Sequence, residues 1–307
     1  MSIQTRIGLG ECSMRLQELG SSGIRVSRVG LGCNNFGGRL DLEETRQVVE
    51  AALEAEISFL DTADIYGGGG SERFLGEILE GKRDQVVLAT KFGMGPDEGM
   101  ARGSREYMRH ALAASLERLR TDYVDVYYYH QPDGITPVAE TTAAMGELVE
   151  EGRVRAIGVS NFSVEQLDEA VAAGSVAVLQ NHYNLLEREA EADVLPRCAE
   201  LGVGFVPYFP LASGLLTGKY RRGEPPPSGT RLAGRPETLT DEVFDRIEAL
   251  EAFAQARGHT LLELAIAGLA SQPGAASVIA GATTPEQVRA NAAAADWELS
   301  ADDLAAL

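Results

Sequence analysis

Cysteine is rare in this chain, and neither a long apolar run nor a leader-like segment is present. The three cysteines, Cys12, Cys33 and Cys198, show no metal-type spacing, and their odd number argues against a disulfide framework. No run of about 18 or more apolar residues occurs, so no membrane-spanning helix is predicted. The stretch from Met1 to Cys12 lacks the apolar core of a secretory signal. These absences predict a cytoplasmic protein without a membrane partner.

Basic residues are also scarce. Lysine and arginine total 27 against 46 aspartate and glutamate residues, a net charge of −19, which disfavours nucleic acid and anionic membrane as partners. Only three of the basic residues are lysines: Lys82, Lys91 and Lys219. A buried lysine changes its pKa readily, whereas an arginine keeps its charge. The composition therefore draws attention to Lys91, which closes a strand-like apolar run.

Short apolar runs alternate with amphipathic segments through most of the chain. The predicted strands are Val29–Cys33, Ile57–Asp61, Val86–Lys91, Tyr123–His130, Arg155–Val159, Ala177–Asn181, Gly204–Tyr208 and Ser277–Ala280. The predicted helices between them are Leu42–Ala55, Ser71–Leu79, Ser104–Leu119, Val138–Glu150, Val164–Ala172, Ala192–Leu201, Leu261–Ser271 and Pro285–Ala294. Continuous apolar strands followed by helices indicate a parallel sheet covered by helices. Eight such units in about 250 residues predict an α/β fold, a single (β/α)8 TIM barrel.

Three further segments lie outside the eightfold pattern. Leu16–Leu19 and Ile24–Ser27 predict an N-terminal hairpin that caps the barrel bottom, and Asp241–Ala256 predicts an extra helix. A second extra helix is expected after Ser300, which is a suitable N-cap. Residues 209–240 form the longest loop, and loops longer than about 12–15 residues in a compact domain are usually functional. No linker divides the chain, so one domain is expected.

Four proton-transfer side chains lie at or just beyond the ends of three successive strands. Asp61 ends the second strand and Tyr66 follows it, Lys91 ends the third, and His130 ends the fourth. In a parallel barrel the active site is built at these strand ends. A nearby ammonium lowers the pKa of a phenol from its usual value of about 10. Each residue alone has an ordinary structural explanation, but their joint occurrence indicates general acid chemistry.

The chain resembles the aldo-keto reductase superfamily, and within it the bacterial members related to the potassium-channel β subunits. The matching segments are Phe59–Gly67, Ala89–Lys91, Tyr128–Asp133, Ile157–Phe162, Gln180–Asn184, Tyr208–Leu211 and Gly214–Tyr220. The resemblance runs from about Met14 to the C-terminus. It implies a barrel domain over 14–307, and residues 1–13 are expected to be an N-terminal extension or to follow a start codon assigned too early.

The resemblance implies a reductase of aldehydes or ketones that takes hydride from a nicotinamide nucleotide. Tyr66 would protonate the carbonyl oxygen as the general acid. Lys91, ion-paired with Asp61, would lower the pKa of Tyr66, and His130 would orient the carbonyl by hydrogen bonding. The small-molecule partner would accordingly be a carbonyl compound or the corresponding alcohol.

The resemblance also implies which residues bind the cofactor. Ser160, Asn161 and Gln180 would hold the carboxamide, and Tyr208 would stack on the nicotinamide ring. The pyrophosphate would lie along Phe209, Pro210, Leu211, Ser213, Leu215 and Lys219, and the adenosine end near Gly281, Thr283, Gln287 and Asn291. Gly32, Cys33 and Asp61 complete the expected cofactor contacts.

Several positions depart from the family pattern. Gly281, Thr283 and Gln287 stand where many relatives carry a cation for the 2′-phosphate. Lys219 and Arg231 are alternative sources of that charge, so NADP(H) is favoured and NAD(H) remains an alternative. Two other positions also depart from the family pattern. Phe209 stands where relatives commonly have serine, and Asn34 stands where they commonly have an aromatic residue.

Two other functions remain open from the sequence, and a third is disfavoured. One is an NAD-preferring dehydrogenase of a sugar or another alcohol, and a second is a cofactor-sensing regulatory subunit with slow turnover. A metal-dependent hydrolase lacks support, because the histidines show no ligand spacing: His110, His130, His182 and His259. Neither a specific substrate nor an oligomeric state is predicted.

Overall fold

Eight parallel strands close into a barrel. The computed structural model describes residues 14–96 and 99–307, so the predicted extension over 1–13 lies outside the described residues. The barrel strands are β3 (Val29–Gly32), β4 (Phe59–Asp61), β5 (Val87–Phe92), β6 (Val124–Tyr129), β7 (Val154–Ser160), β8 (Val176–His182), β9 (Gly204–Tyr208) and β10 (Val278–Gly281). They follow one another around the barrel in chain order, and β10 pairs with both β9 and β3. The predicted (β/α)8 fold is confirmed.

Ten α-helices occur among the described residues, and eight of them follow the barrel strands. Their bounds are α1 (Leu42–Glu54), α2 (Gly70–Ile78), α3 (Arg105–Leu119), α4 (Val138–Glu150), α5 (Val164–Ala173), α6 (Val194–Leu201), α7 (Asp241–Gln255), α8 (Leu261–Ala270), α9 (Pro285–Ala294) and α10 (Ala301–Ala306). The two extra helices, α7 and α10, lie where the sequence predicted them. Ser300 caps α10 by accepting from the Asp303 amide. None of these helices is long and apolar enough to span a bilayer.

The predicted hairpin is present and closes the bottom of the barrel. Its strands are β1 (Leu16–Glu18) and β2 (Arg25–Ser27), which pair antiparallel. Leu19, Ile24 and Val26 are buried against side chains of the barrel interior. With its lower end closed, the barrel opens at the carboxyl ends of the strands, where the predicted site residues lie.

The loop between β9 and α7 forms a lid over this opening. It contains two short 3-10 turns, Ala212–Thr217 and Pro236–Thr238, which the sequence did not predict. Tyr220 and Leu232 of the lid pack with Phe244 of α7. Arg222 also binds carboxylates on α7 or at its start: Asp241, Asp245 and Glu248. The lid is therefore anchored at its base to the extra helix α7.

Candidate functional site

A cavity of about 750 Å³ lies between the strand ends and the lid, within the usual size range of small-molecule and cofactor sites. Three of the four predicted catalytic residues reach its wall: Asp61, Tyr66 and His130. The predicted cofactor residues that line it are Gly32, Cys33, Ser160, Asn161, Gln180, Tyr208, Phe209, Pro210, Leu211, Ser213, Lys219, Arg231, Gly281, Thr283, Gln287 and Asn291.

Two predicted site residues do not line the cavity. Lys91 is fully buried beneath it and acts on the wall only through its neighbours. Leu215 belongs to the short turn of the lid, but it packs against the cluster that includes Tyr220 and Phe244. The structure therefore places Leu215 in the anchor of the lid and away from the cavity wall.

Lys91 is the centre of a buried hydrogen-bond network. Its Nζ donates to Asp61 Oδ2 over 2.5 Å, to the Thr62 carbonyl over 3.1 Å and to the Tyr66 hydroxyl oxygen over 3.5 Å. The second oxygen of Asp61 accepts from Gln180 Nε2 at 3.0 Å. Both carboxylate oxygens and the ammonium are thus satisfied, which is the condition for burying such charges. The Tyr66 hydroxyl receives a hydrogen bond from Lys91 and keeps its own proton.

The pKa of Lys91 is raised in this network. Burial, the largest single influence, lowers it, but Asp61 and Tyr66 favour the charged form and reverse the effect. Lys91 is therefore an ammonium at neutral pH.

The pKa of Tyr66 is raised as well, which corrects the expectation that Lys91 would bring it below 10. Burial disfavours the phenolate more than the ammonium favours it, and the charge of Asp61 adds to the rise. The carboxylate thus opposes the effect of the ammonium on the phenol. Tyr66 consequently holds its proton at neutral pH, the form that a general acid needs.

His130 is neutral and faces Tyr66. The two rings meet edge to face, with their centroids 6.0 Å apart. Burial, and secondarily the charge of Lys91, lower the pKa of His130 to about 3. Its Nδ1 is buried without a hydrogen-bond partner among the described residues. The imidazole is therefore an uncharged group with unused hydrogen-bonding capacity beside the phenol.

A set of polar side chains joins the ends of β7, β8 and β9. Asn161 Nδ2 donates to the His130 carbonyl oxygen at 2.9 Å, and Asn161 Oδ1 accepts from the Tyr208 hydroxyl at 2.8 Å. Ser160 Oγ donates to the Gln180 carbonyl oxygen at 2.7 Å. Asn161 has a positive φ of 60°, a conformation that asparagine adopts more readily than most residues. These bonds fix the wall next to His130.

Three cations line the cavity, and two of them were predicted. Lys219 and Arg231 come from the lid, and Arg39 comes from the loop between β3 and α1. Among residues 14–96 and 99–307, no carboxylate lies within ion-pairing distance of these three side chains. Arg39 was not predicted from the sequence, although its position in a loop at a barrel strand's carboxyl end was an available signal.

The end of β10 and the start of α9 form another part of the wall. Thr283 and Gln287 both line it, and Gln287 Oε1 accepts from the Thr283 amide at 2.9 Å. Asn35, also missed in the sequence, ties this region to the first barrel loop by donating from Nδ2 to the Ala282 carbonyl oxygen at 3.2 Å. Gly281 leaves the wall open at the strand end, because it places no side chain there.

Comparisons with known proteins agree with this architecture. The model of the Aldo/keto reductase family matches residues 28–307. A probable voltage-gated potassium channel subunit beta from Oryza sativa subsp. japonica is 37% identical over 305 residues, with 92% of each chain covered. The NADH-specific methylglyoxal reductase of Escherichia coli (strain K12) is 36% identical over 317 residues, which cover 94% of this chain and 96% of that one.

A comparison with solved structures also finds an oxidoreductase of similar fold. The glycerol dehydrogenase from Gluconobacter oxydans superposes with a TM-score of 0.83 at 29% identity, and the match covers 95% of this chain and 93% of that one. The resemblance drawn from the motifs is confirmed, including its likeness to channel β subunits. This chain belongs to the aldo/keto reductase family of oxidoreductases.

Proposed function

We propose that this chain is a nicotinamide-dependent reductase of aldehydes or ketones in which Tyr66 is the general acid. The observation that carries the proposal is the Asp61–Lys91–Tyr66 network, which opens into the cavity next to a neutral His130. Tyr66 has a proton to give at neutral pH, because burial raises its pKa. The ammonium of Lys91 remains in place to stabilise the phenolate that forms when the proton leaves.

The cavity fits a nicotinamide dinucleotide. Its wall combines polar groups near Tyr66 with three cations that have no carboxylate partner among the described residues, in a chain whose net charge is −19. Such cations suit the phosphates of a dinucleotide. Ser160, Asn161 and Gln180 would flank its carboxamide and Tyr208 its ring, with Lys219 at the pyrophosphate. The bound cofactor supplies the hydride, which no side chain can provide.

The residues of the chain supply the rest of the reaction. Tyr66 donates its hydroxyl proton to the carbonyl oxygen as the carbonyl carbon receives hydride, and the product is an alcohol. His130 donates a hydrogen bond to the same oxygen and fixes its direction. Preset donors around a developing alkoxide are usually a large catalytic contribution, and general acid catalysis adds about 10²–10⁴-fold.

We also propose that NADP(H) is the preferred cofactor, because Arg231 and the additional cation Arg39 line the cavity besides Lys219. The alternative is an NAD-preferring dehydrogenase; the Escherichia coli relative is named as NADH-specific. The proposed site of action is the cytoplasm, as the sequence predicted. The buried free thiols of Cys33 and Cys198 are compatible with that compartment.

Multiple-turnover kinetics of the purified chain test the proposal. A panel of aldehydes and ketones is assayed with NADPH and with NADH, and a panel of sugars and alcohols with the oxidised cofactors. The proposal expects sustained carbonyl reduction that is faster with NADPH. Faster oxidation with NAD would support the dehydrogenase instead. A single slow turnover followed by retention of the cofactor would support a regulatory subunit and contradict the proposed reductase.

A further inference from the structure

One histidine near the cavity has no part in the proposed reaction. His182 ends β8, and its Cα pairs with that of Tyr208 at the end of β9. The imidazole stacks on the Tyr208 ring, with the ring centroids 5.5 Å apart and the ring planes at 29°. Tyr208 lines the cavity, whereas His182 does not. His182 therefore covers part of one face of Tyr208 and leaves the rest of that ring to the cavity.

The imidazole of His182 is held by a turn in the loop that follows β8. Its Nε2 lies 3.0 Å from Glu187 Oε2, and the same oxygen accepts from Asn184 Nδ2 at 2.9 Å. Asn184 is fully buried, and its Oδ1 accepts from the Glu187 amide at 3.1 Å. A carboxylate only accepts hydrogen bonds, so the His182 nitrogen that faces it carries a hydrogen. Glu187 is half-exposed and its ion pair adds little energy, but it fixes the direction of the imidazole.

The Tyr208 ring is fixed at two points. Its hydroxyl donates to Asn161 Oδ1 at 2.8 Å, and His182 supports its face. His182 also meets the Phe209 ring edge to face, with the centroids 5.6 Å apart, so the imidazole contacts both aromatic rings at this end of the barrel. Without the imidazole, Tyr208 keeps its hydroxyl contact but loses the support on one face, and its ring gains space to tilt.

A second histidine shows that stacking alone does not mark a functional residue. His259 stacks on Trp297, with the ring centroids 3.9 Å apart and the planes at 6°. Neither of these rings lines the cavity, and packing accounts for the pair. The stack on Tyr208 differs because, under the proposed function, Tyr208 is the ring that meets the nicotinamide.

We propose that His182 is a positioning residue for the nicotinamide: it holds Tyr208 in the orientation in which that ring stacks on the cofactor. The inference rests on the proposed function for the identity of the stacked group. A side chain that is ordered before binding loses no further rotamer freedom when the ligand arrives. Removal of the supporting ring gives up this advantage along with one aromatic pair, and nicotinamide binding should weaken by about 2–10-fold.

The test compares nucleotides with and without the nicotinamide ring. Dissociation constants of NADPH and NADH, and of 2′-phospho-ADP-ribose and ADP-ribose, are measured by titration calorimetry. The variants are His182→Ala, which removes the ring, and His182→Phe, which keeps a ring without its nitrogens. His259→Ala is the matched control, because it removes a stacked imidazole from a pair that does not line the cavity. Thermal unfolding verifies that each variant is folded.

His182→Ala should weaken binding of the preferred dinucleotide by about 2–10-fold and leave the matching nucleotide without nicotinamide bound as in the wild type. His182→Phe should restore most of the lost affinity, because a phenyl ring again supports Tyr208. His259→Ala should bind every nucleotide as the wild type does. Equal losses with and without the nicotinamide would indicate a general disturbance of the site and would overturn the assignment, as would wild-type affinities in His182→Ala or a failure of His182→Phe to restore binding.

Kinetics separate this assignment from the proposed reductase. In a chain that reduces carbonyls, kcat at saturating cofactor should fall in His182→Ala, because the hydride donor is less well aligned, and should recover in His182→Phe. A nicotinamide-specific loss of affinity in a chain that reduces no carbonyl would keep the assignment and contradict the reductase. Carbonyl reduction with unchanged nicotinamide binding in His182→Ala would keep the reductase and overturn the assignment.

Discussion

Lys91 Nζ and Asp61 Oδ2 lie 2.5 Å apart, and both side chains are almost completely inaccessible to solvent. The Tyr66 hydroxyl lies 3.5 Å from Lys91 Nζ, and Asp61 opposes the effect of that ammonium on the pKa of Tyr66. Burial has the largest effect on that pKa, and together with Asp61 it explains why Tyr66 keeps its proton although an ammonium is adjacent. Because both side chains are almost completely buried, each charge depends on the other for its stabilisation.

Replacing only one member of this pair should destabilise the fold strongly. Lys91→Met leaves the Asp61 carboxylate buried without its cation, and we expect a loss of about 3–5 kcal/mol in the free energy of unfolding. The double variant Asp61→Asn with Lys91→Met should lose less, since no charge is left unpaired. Urea unfolding measures both. A double variant at least as unstable as Lys91→Met would contradict this account of the pair.

The rate of carbonyl reduction should be independent of pH between about pH 5 and 9. His130 is neutral throughout this range, because burial lowers its pKa to about 3. Tyr66 is protonated throughout it, because burial raises its pKa above 10; reduction should decline only as the pH rises through that higher pKa. The pH profile of kcat with saturating cofactor measures this. An inflection near pH 6.5 that disappears in His130→Gln would show that His130 titrates normally.

Asp64 should be a source of instability at neutral pH. Burial first, and the charge of Glu72 second, raise its pKa to about 7, while Arg118 and Lys91 oppose the rise. In the unfolded chain Asp64 ionises near pH 4. The folded state therefore loses stability as the pH rises from about 4 to 7, and this loss stays constant above pH 7. Asp64→Asn should therefore stabilise the chain at pH 8, on the order of a few kcal/mol.

The stabilising effect of Asp64→Asn should shrink progressively as the pH falls from 7 towards about 4. Thermal unfolding at pH 8, 6 and 4.5 follows this change. Equal effects at all three values would indicate a pH-independent packing effect instead of a shifted pKa.

Two glycines of the hairpin turn provide a matched test of how the barrel bottom is closed. Gly20 has a φ of 55°, and a Cβ there would lie 2.0 Å from the Ala177 carbonyl oxygen; Gly23 has a φ of 69° and no atom within 4 Å. Gly23→Ala should cost about 1–2 kcal/mol from the left-handed backbone alone. Gly20→Ala adds a steric clash and should cost considerably more in urea unfolding. Equal losses in the free energy of unfolding for the two variants would mean that Gly20 is not packed against the barrel.

Much of the fold and the cluster of polar residues were predictable from the sequence. Buried parallel strands are continuous apolar runs, and β9 was predicted with its observed bounds. The helices α4 and α9 were also predicted with their observed bounds, and the other elements to within a few residues. Asp61, Lys91 and His130 were recognisable because each closes such a run. The barrel brings those ends to one side whatever the loops do.

The remaining features depend on tertiary contacts that a local pattern does not contain. The short turns of the lid have non-helical backbone angles at Ser213 and Gly214, which no helical periodicity signals. The contact of Arg39 with the Gly229 carbonyl oxygen joins residues 190 positions apart in the chain. Whether the pKa of Tyr66 is raised or lowered depends on how deeply the phenol is buried, which the sequence does not show. Proximity to Lys91 alone predicted a lowered pKa.

The most direct test of the central claim is the comparison of Tyr66→Phe with Tyr127→Phe. Both changes remove one phenolic oxygen, but Tyr127 is buried in β6 outside the cavity and donates to the Met108 carbonyl oxygen. If Tyr66 is the general acid, Tyr66→Phe lowers kcat for carbonyl reduction by about 10²–10⁴-fold or more, with cofactor binding nearly unchanged, while Tyr127→Phe retains turnover. Near-wild-type reduction of aldehydes by Tyr66→Phe would contradict the claim.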